Sequence, residues 1–348
     1  MRSFQIGERQ IGAGHPTYII AEMSGNHGQN FEQAEQILKA AKAAGADAVK
    51  LQTYTADTLT IDSNEPPFRI KGGLWDGRNL YELYQEAYTP WDWQPRLKKI
   101  ADDLGIDLFS SPFDHTAVDF LEDLNVPVHK IASFEMIDTG LLRKVAATGK
   151  PIIMSTGMAT IGEIEESVKT LRESGANEIA LLKCTSAYPA PPEEMNLRTI
   201  PHLAEAFGVV AGLSDHTLGS AVPVAAVSLG ACIIEKHFTL SRDLPGPDTA
   251  FSLEPDEFKA MVDAVRTVEK ALGKVSYGVS RKESESRIFR RSLFVVEDMK
   301  AGDGFTSRNV RSIRPGYGLP PKHFEEIINH RASRDIKRGT PLDWNLIG

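Results

Sequence analysis

Along its first 275 residues the chain switches eight times between a short apolar run of strand length and an amphipathic stretch of helix length. The strand-like runs are Tyr18–Ala21, Asp47–Gln52, Ile106–Phe109, Val128–Ile131, Pro151–Ser155, Glu178–Lys183, Val209–Ala211 and Ala231–Ile234. Helical periodicity covers Phe31–Ala44, Pro90–Leu104, Thr116–Leu124, Asp138–Ala147, Ile161–Ser174, Leu197–Phe207, Ala221–Leu229 and Glu254–Leu272. Alternation of this kind builds a parallel sheet, and eight units close it. The expected fold class is therefore α/β, a (β/α)8 TIM barrel over residues 1–275. Composition changes after Lys274: residues 276–287 are polar and read as a linker, and residues 288–348 read as a small module of short strands and turns. Such a module is marginal alone and needs support. One stretch breaks the rhythm. Thr53–Tyr88 is rich in Gly, Pro, Asn and aromatics and reads as an irregular binding loop or lid.

In such a barrel the chemistry sits at the C-terminal ends of the strands. The motif Gly212-Leu213-Ser214-Asp215-His216-Thr217 follows one apolar run, and Glu235-Lys236-His237-Phe238-Thr239 follows the next. If these two strands are parallel neighbours, His216 and His237 emerge on the same edge, where two imidazoles can bind a divalent metal. The plainer alternative is two separate histidines, one capping a turn and one packed. The other strand ends are also polar: Glu22; Lys50 and Gln52; Ser110 and Ser111; Lys130, Ser133 and Glu135; Ser155 and Thr156; Lys183, Thr185, Ser186 and Tyr188. A buried lysine needs an anion or loses its charge. Two lysines among hydroxyl groups describe a phosphate or carboxylate pocket.

The net charge of −8 argues against nucleic acid or an anionic membrane as partner. A basic pocket inside an acidic chain fits a small, highly charged anion, and phosphoenolpyruvate is one. Cys184 and Cys232 both lie in apolar runs and read as reduced thiols. With no apolar run of membrane-spanning length and no signal-like h-region after Met1, the expected location is the cytoplasm.

Nine motifs, in order, resemble the N-acetylneuraminate synthase family of phosphoenolpyruvate-dependent sugar-acid synthases. They are Ala21–His27, Lys50–Gln52, Ser110–Phe113, Lys130–Glu135, Met154–Met158, Gly212–Thr217, Glu235–Thr239, Pro245–Asp248 and Arg314–Gly318. The likeness spans essentially the whole length, and the tail resembles the antifreeze-like (SAF) domain. The resemblance implies that Lys50, Ser111, Lys130, Ser133, Ser186 and Ser214 hold phosphoenolpyruvate, although the family usually carries Asn where Ser186 stands. It implies that His216 and His237 bind a divalent ion, Mn²⁺ first, with Mg²⁺ and Co²⁺ as alternatives. It places Glu22 as the catalytic carboxylate, and Gln52, Glu135, Tyr188 and Asp248 around an open-chain N-acetylated amino sugar. It further implies a domain-swapped homodimer in which Arg314 reaches the partner's sugar pocket.

Within the family, several places resemble the pseudaminic acid branch. These are Met23–Gly28, the Leu80–Tyr84 and Tyr88–Trp91 segments, and Thr249–Leu253 following Asp248. The sugar of that branch is a 2,4-diacetamido-2,4,6-trideoxy hexose with a methyl at C6. Phe251 or Trp75 would suit that apolar end, or would simply pack a lid. The N-acetylneuraminate and legionaminate branches stay open as alternatives. From another class, a non-catalytic carbohydrate-binding protein fits the tail alone, but has no need of Glu22, two lysines and two histidines at strand ends. An amidohydrolase barrel would show His-x-His after the first strand, where this chain has Glu22-Met23-Ser24.

Overall fold

The computed structural model describes residues 3–348. It divides the chain into two compact units, Met1–Gly273 and Lys274–Gly348. The first opens with an antiparallel hairpin that the sequence reading does not contain, β1 (Ser3–Ile6) and β2 (Arg9–Gly12). Its inward residues Phe4, Ile6 and Ile11 join Tyr18, Ile20, Phe109, Ile153, Val210 and Ile233 in one apolar cluster. The hairpin thus plugs the end of the barrel where the strands begin.

The barrel strands are β3 (Tyr18–Glu22), β4 (Ala48–Thr53), β5 (Asp107–Pro112), β6 (His129–Ile131), β7 (Ile152–Ser155), β8 (Ile179–Cys184), β9 (Val210–Asp215) and β10 (Ile233–His237). They pair in parallel in that order, and β10 closes on β3. Strand–helix connections are made by α1 (Phe31–Ala43), α2 (Ala56–Leu59), α3 (Leu80–Ala87), α4 (Gln94–Leu104), α5 (His115–Asp123), α6 (Thr139–Ala146), α7 (Ile161–Glu173), α8 (Thr199–Phe207) and α9 (Ala221–Ser228), with α10 (Pro255–Leu272) closing the ring. Local chemistry sets the boundaries. The Asn30 side chain accepts the Gln33 amide at the start of α1, Thr160 and Glu163 form a capping box on α7, and left-handed Gly105 ends α4. A larger sheath of apolar side chains, including Ile37, Leu97, Leu141, Leu171, Leu203 and Phe258, fills the space between strands and helices.

Several strands run further than their apolar runs suggest. β3 ends in Glu22 as expected, while β5 continues into Pro112, β9 into Asp215 and β10 into His237. The backbone ladder goes on pairing after the side chains turn polar, as in Lys236↔Asp215 and His237↔Glu22. Gly212 makes the β9–β10 approach feasible: a Cβ there would lie 2.5 Å from the Ile233 carbonyl oxygen. The insertion after β4 is not irregular throughout. Thr55 and Thr58 form a capping box on α2, and the Asn79 side chain caps α3 by accepting the Tyr81 amide. Among the described residues no helix is long and apolar enough to cross a membrane.

The second unit has its own core of Leu293, Val295, Phe305, Val310, Ile327 and Leu342. It contains α11 (Arg281–Ser286), the antiparallel pair β11 (Ser292–Val295) and β12 (Val310–Ile313), and α12 (Phe324–Ile327). The stretch read as linker therefore carries a helix, started by a Ser280–Glu283 capping box.

Candidate active site

Alternation along a strand sends every second side chain into the barrel. On β10 those are Glu235 and His237; on β4 they are Lys50 and Gln52. Glu22, Lys50, Lys130 and Glu235 meet in the interior, none more than 5% exposed. The Lys50 ammonium lies 2.7 Å from Glu22 Oε2, an ion pair without hydrogen-bond alignment, and 3.6 Å from Glu235 Oε1. Lys130 lies 3.9 Å from the same Glu235 oxygen and donates to Ser155 Oγ at 2.7 Å and to the Ile131 carbonyl. Ser111 Oγ accepts from Lys50 at 3.4 Å, and Ser214 Oγ donates to Glu235 at 3.3 Å.

Electrostatics divide the two carboxylates. Burial, reinforced by Glu235, outweighs the pull of Lys50 and raises Glu22 to about 7. Burial also pushes Glu235 up, but Lys130 and Lys50 together overcome it and hold that group below its ordinary range. Lys130 is lowered by burial despite Glu235, whereas Lys50, flanked by both carboxylates, is raised. The cavity thus keeps one firm anion, one proton-ready carboxyl and two ammonium groups.

Beside them lies a hydroxyl and amide cradle. Ser133 Oγ accepts the Gly157 amide at 3.1 Å, and a Cβ on Gly157 would fall 2.3 Å from Ser186 Oγ and 2.7 Å from Ser133 Oγ. A larger residue there would displace both hydroxyl groups. On the other flank, Gln52 donates to Glu22 Oε1 at 2.8 Å and to Ser24 Oγ at 3.1 Å, while Ser24 donates to half-buried Asp248. Glu135 is raised to about 7, mainly by burial, and its Oε2 has no partner among the described residues.

His216 follows β9 directly and His237 is the last residue of β10, with ring centroids 5.3 Å apart. His216 Nδ1 is fixed by the Thr185 carbonyl at 2.9 Å. His237 Nδ1 is buried without a partner among the described residues, and burial, with His216 and Lys50 nearby, drives that ring well below its ordinary pKa. Burial keeps His237 neutral, whereas His216 is raised because Cys184 and the Thr185 carbonyl outweigh its burial; a divalent cation between two such rings would take the place of that proton. Among the described residues no group of three or more His, Cys, Asp or Glu side chains could hold a metal ion.

An aromatic wall rises above the histidines. Tyr188 packs on His216 at 4.4 Å and on Phe251 at 5.2 Å, and Trp75 from the insertion leans on Tyr188 at 5.6 Å. The Trp75 indole is pinned by donating to the Pro247 carbonyl at 3.1 Å. Phe251 is 1% exposed and serves as packing under the wall; Trp75 is half-buried.

The barrel residues named from sequence thus come together; Arg314 is exposed within the second unit. Two that had no role assigned prove central. Glu235 bridges both lysines, and its two-residue spacing from His237 was the available signal. Cys184, beside His216, is lowered to about 7 as the histidine outweighs its burial.

Residues 37–277 match the NeuB family and residues 290–347 match the SAF domain. The chain belongs to the NeuB family. Among NeuB relatives, it is 47% identical to the pseudaminic acid synthase of Helicobacter pylori, covering 94% of this chain and 96% of that protein. It is 36% identical to the N,N'-diacetyllegionaminic acid synthase of Legionella pneumophila, over 98% and 97% of the two chains. The crystal structure of N-acetylneuraminic acid synthetase from Leptospira borgpetersenii in complex with citrate superposes with a TM-score of 0.73 at 30% identity, covering 82% of this chain and 95% of that one.

Proposed function

We propose that this NeuB-family protein condenses phosphoenolpyruvate with an open-chain 2,4-diacetamido-2,4,6-trideoxy hexose, giving pseudaminic acid and inorganic phosphate. The observation that carries the reaction is the pair of buried ammonium groups, Lys50 and Lys130, set among hydroxyl groups, with Glu22 paired to Lys50 and in register with His237. The branch rests on 47% identity to a pseudaminic acid synthase against 36% and 30% to the legionaminate and neuraminate enzymes.

Lys50 and Lys130 neutralise the phosphate and carboxylate of phosphoenolpyruvate, and Ser111, Ser133, Ser186 and Ser214 orient them. Gln52, Glu135, Tyr188 and Asp248 position the sugar so that its aldehyde carbon faces C3 of phosphoenolpyruvate. His216 and His237 hold a divalent ion, Mn²⁺ first, which when bound supplies Lewis acidity to the aldehyde oxygen. As the C3–C1 bond forms, C2 becomes electron-poor, and the Glu22 carboxylate is placed to stabilise it and orient a water toward it. The C2–O bond of the resulting hemiketal phosphate breaks and phosphate leaves.

Arg314 reaches the sugar of a partner copy in a swapped homodimer. Support comes from the exposed apolar residues Phe134, Ile137 and Met158 on the loops following β6 and β7, and Ile161 at the start of α7, at the barrel end that the second unit of another copy would cover. A cytoplasmic location rests on the free cysteines Cys184 and Cys232.

The test is phosphate release from phosphoenolpyruvate with the deoxy sugar and, in parallel, with N-acetylmannosamine, each with Mn²⁺ and with chelator. Release that needs both the ion and the deoxy sugar is expected. Release with N-acetylmannosamine alone would move the chain to the neuraminate branch, and release with neither would overturn the reaction.

A further inference from the structure

Lys236 and Asp215 are the residues just before the two histidines, and they are direct register partners on β10 and β9. Their side chains point away from the reaction cavity, into the layer between strands and helices. There they form an ion pair with side chains 1% and 0% exposed. The Lys236 ammonium also donates to the Thr217 carbonyl, and Asp215 accepts both the Thr217 amide at 3.0 Å and its hydroxyl at 3.1 Å. The pair therefore clamps the backbone on both sides of His216 and ties it to the residue before His237.

A buried ion pair of this kind is a poor source of stability, because desolvation takes back most of the Coulomb attraction. An apolar pair of similar volume would fill the same space. What an apolar pair cannot do is fix the turn at Thr217 or join it to β10 with directional bonds. We propose that Lys236 and Asp215 are positioning residues that hold the two imidazoles at the separation a shared divalent cation requires. The proposal rests on the reading of His216 and His237 as metal ligands. It assigns the ion pair to binding geometry, with little of its value in fold stability. The hydrogen bond from His216 Nδ1 to the Thr185 carbonyl fixes only the ring's rotation; the clamp fixes where its backbone stands.

The full-length protein, stripped of metal, is titrated with Mn²⁺ and free ion is followed by electron paramagnetic resonance. Thermal unfolding and metal-free phosphoenolpyruvate binding are measured alongside. The double variant Asp215→Leu/Lys236→Met is expected to unfold within a few degrees of the parent and to bind phosphoenolpyruvate unchanged. Its Mn²⁺ dissociation constant should rise about 10- to 100-fold, as for lost supports of metal ligands elsewhere. Thr217→Val, which removes only the hydroxyl donated to Asp215, should shift the same constant by less, and it serves if the double variant does not fold. Mn²⁺ binding as tight as the parent's in folded variants would overturn the positioning role. A parent that binds no Mn²⁺ would instead overturn the metal-ligand reading beneath it.

Discussion

Lys50 holds its ammonium 2.7 Å from the Glu22 carboxylate, and both side chains are buried. The two groups therefore depend on each other, and their removal should have opposite effects. Glu22→Gln leaves Lys50 paired with Glu235 and free to meet an anion. Phosphoenolpyruvate binding should persist while turnover falls about 10²- to 10⁴-fold. Lys50→Met leaves Glu22 without its cation, so that it takes a proton, and should abolish binding. Calorimetric titration and denaturant unfolding of both variants separate the two effects.

Glu135 gives a pH-dependent signature. Its carboxyl is raised from 4.5 to about 7 by burial, so the folded protein favours the protonated form. A folded-state value above the unfolded one means stability present at low pH and lost as pH rises from about 4.5 to about 7. Glu135→Gln removes that loss. The variant should gain on the parent by on the order of 2–3 kcal/mol between pH 4.5 and 7.5, with no further gain above. Urea midpoints of the two proteins at pH 5 and pH 8 are the measurement.

Trp75 and Phe251 were equivalent candidates for the apolar end of the sugar until burial separated them. Five C–C bonds of ~1.5 Å carry C6 of an extended hexose roughly 6 Å from the reacting carbon, within reach of the aromatic wall. Trp75→Ala should raise KM for the deoxy sugar about tenfold, with little change for phosphoenolpyruvate. Phe251→Ala should cost about 3–5 kcal/mol of stability. Steady-state kinetics and thermal unfolding distinguish a contact from a pedestal.

If Arg314 acts on the partner's barrel, two dead variants can repair each other. Mixing Glu22→Gln chains with Arg314→Ala chains, unfolded and refolded together, gives hybrid dimers with one intact site. Recovery approaching about a quarter of parental activity is expected for statistical exchange in a swapped dimer. No recovery above the separate variants would sink the swap.

The barrel was legible because its apolar runs and helical stretches alternate without a break. Its edges were less so. Reading by hydrophobicity stops a strand at the first polar residue, whereas β9 and β10 keep pairing through Ser214, Asp215, Lys236 and His237, since their polar side chains find partners inside. Glu235 was visible only as one polar strand end among many; its importance lies in distances to Lys50 and Lys130 that no local pattern encodes. α3 had an Asn79 cap in plain view, masked by the Gly- and Pro-rich residues before it. The hairpin β1–β2 offered too few apolar residues to register, because everything they pack against comes from distant strands.

That hairpin sets a sequence of events in the making of the protein. Its Phe4, Ile6 and Ile11 leave the ribosome well before Val210 and Ile233, the last strands they touch. A stopper synthesised before the vessel it closes finds its full set of apolar partners only once the eighth wall has been made. A chain halted short of Ile233 would lack one of the side chains that share a cluster with its opening residues.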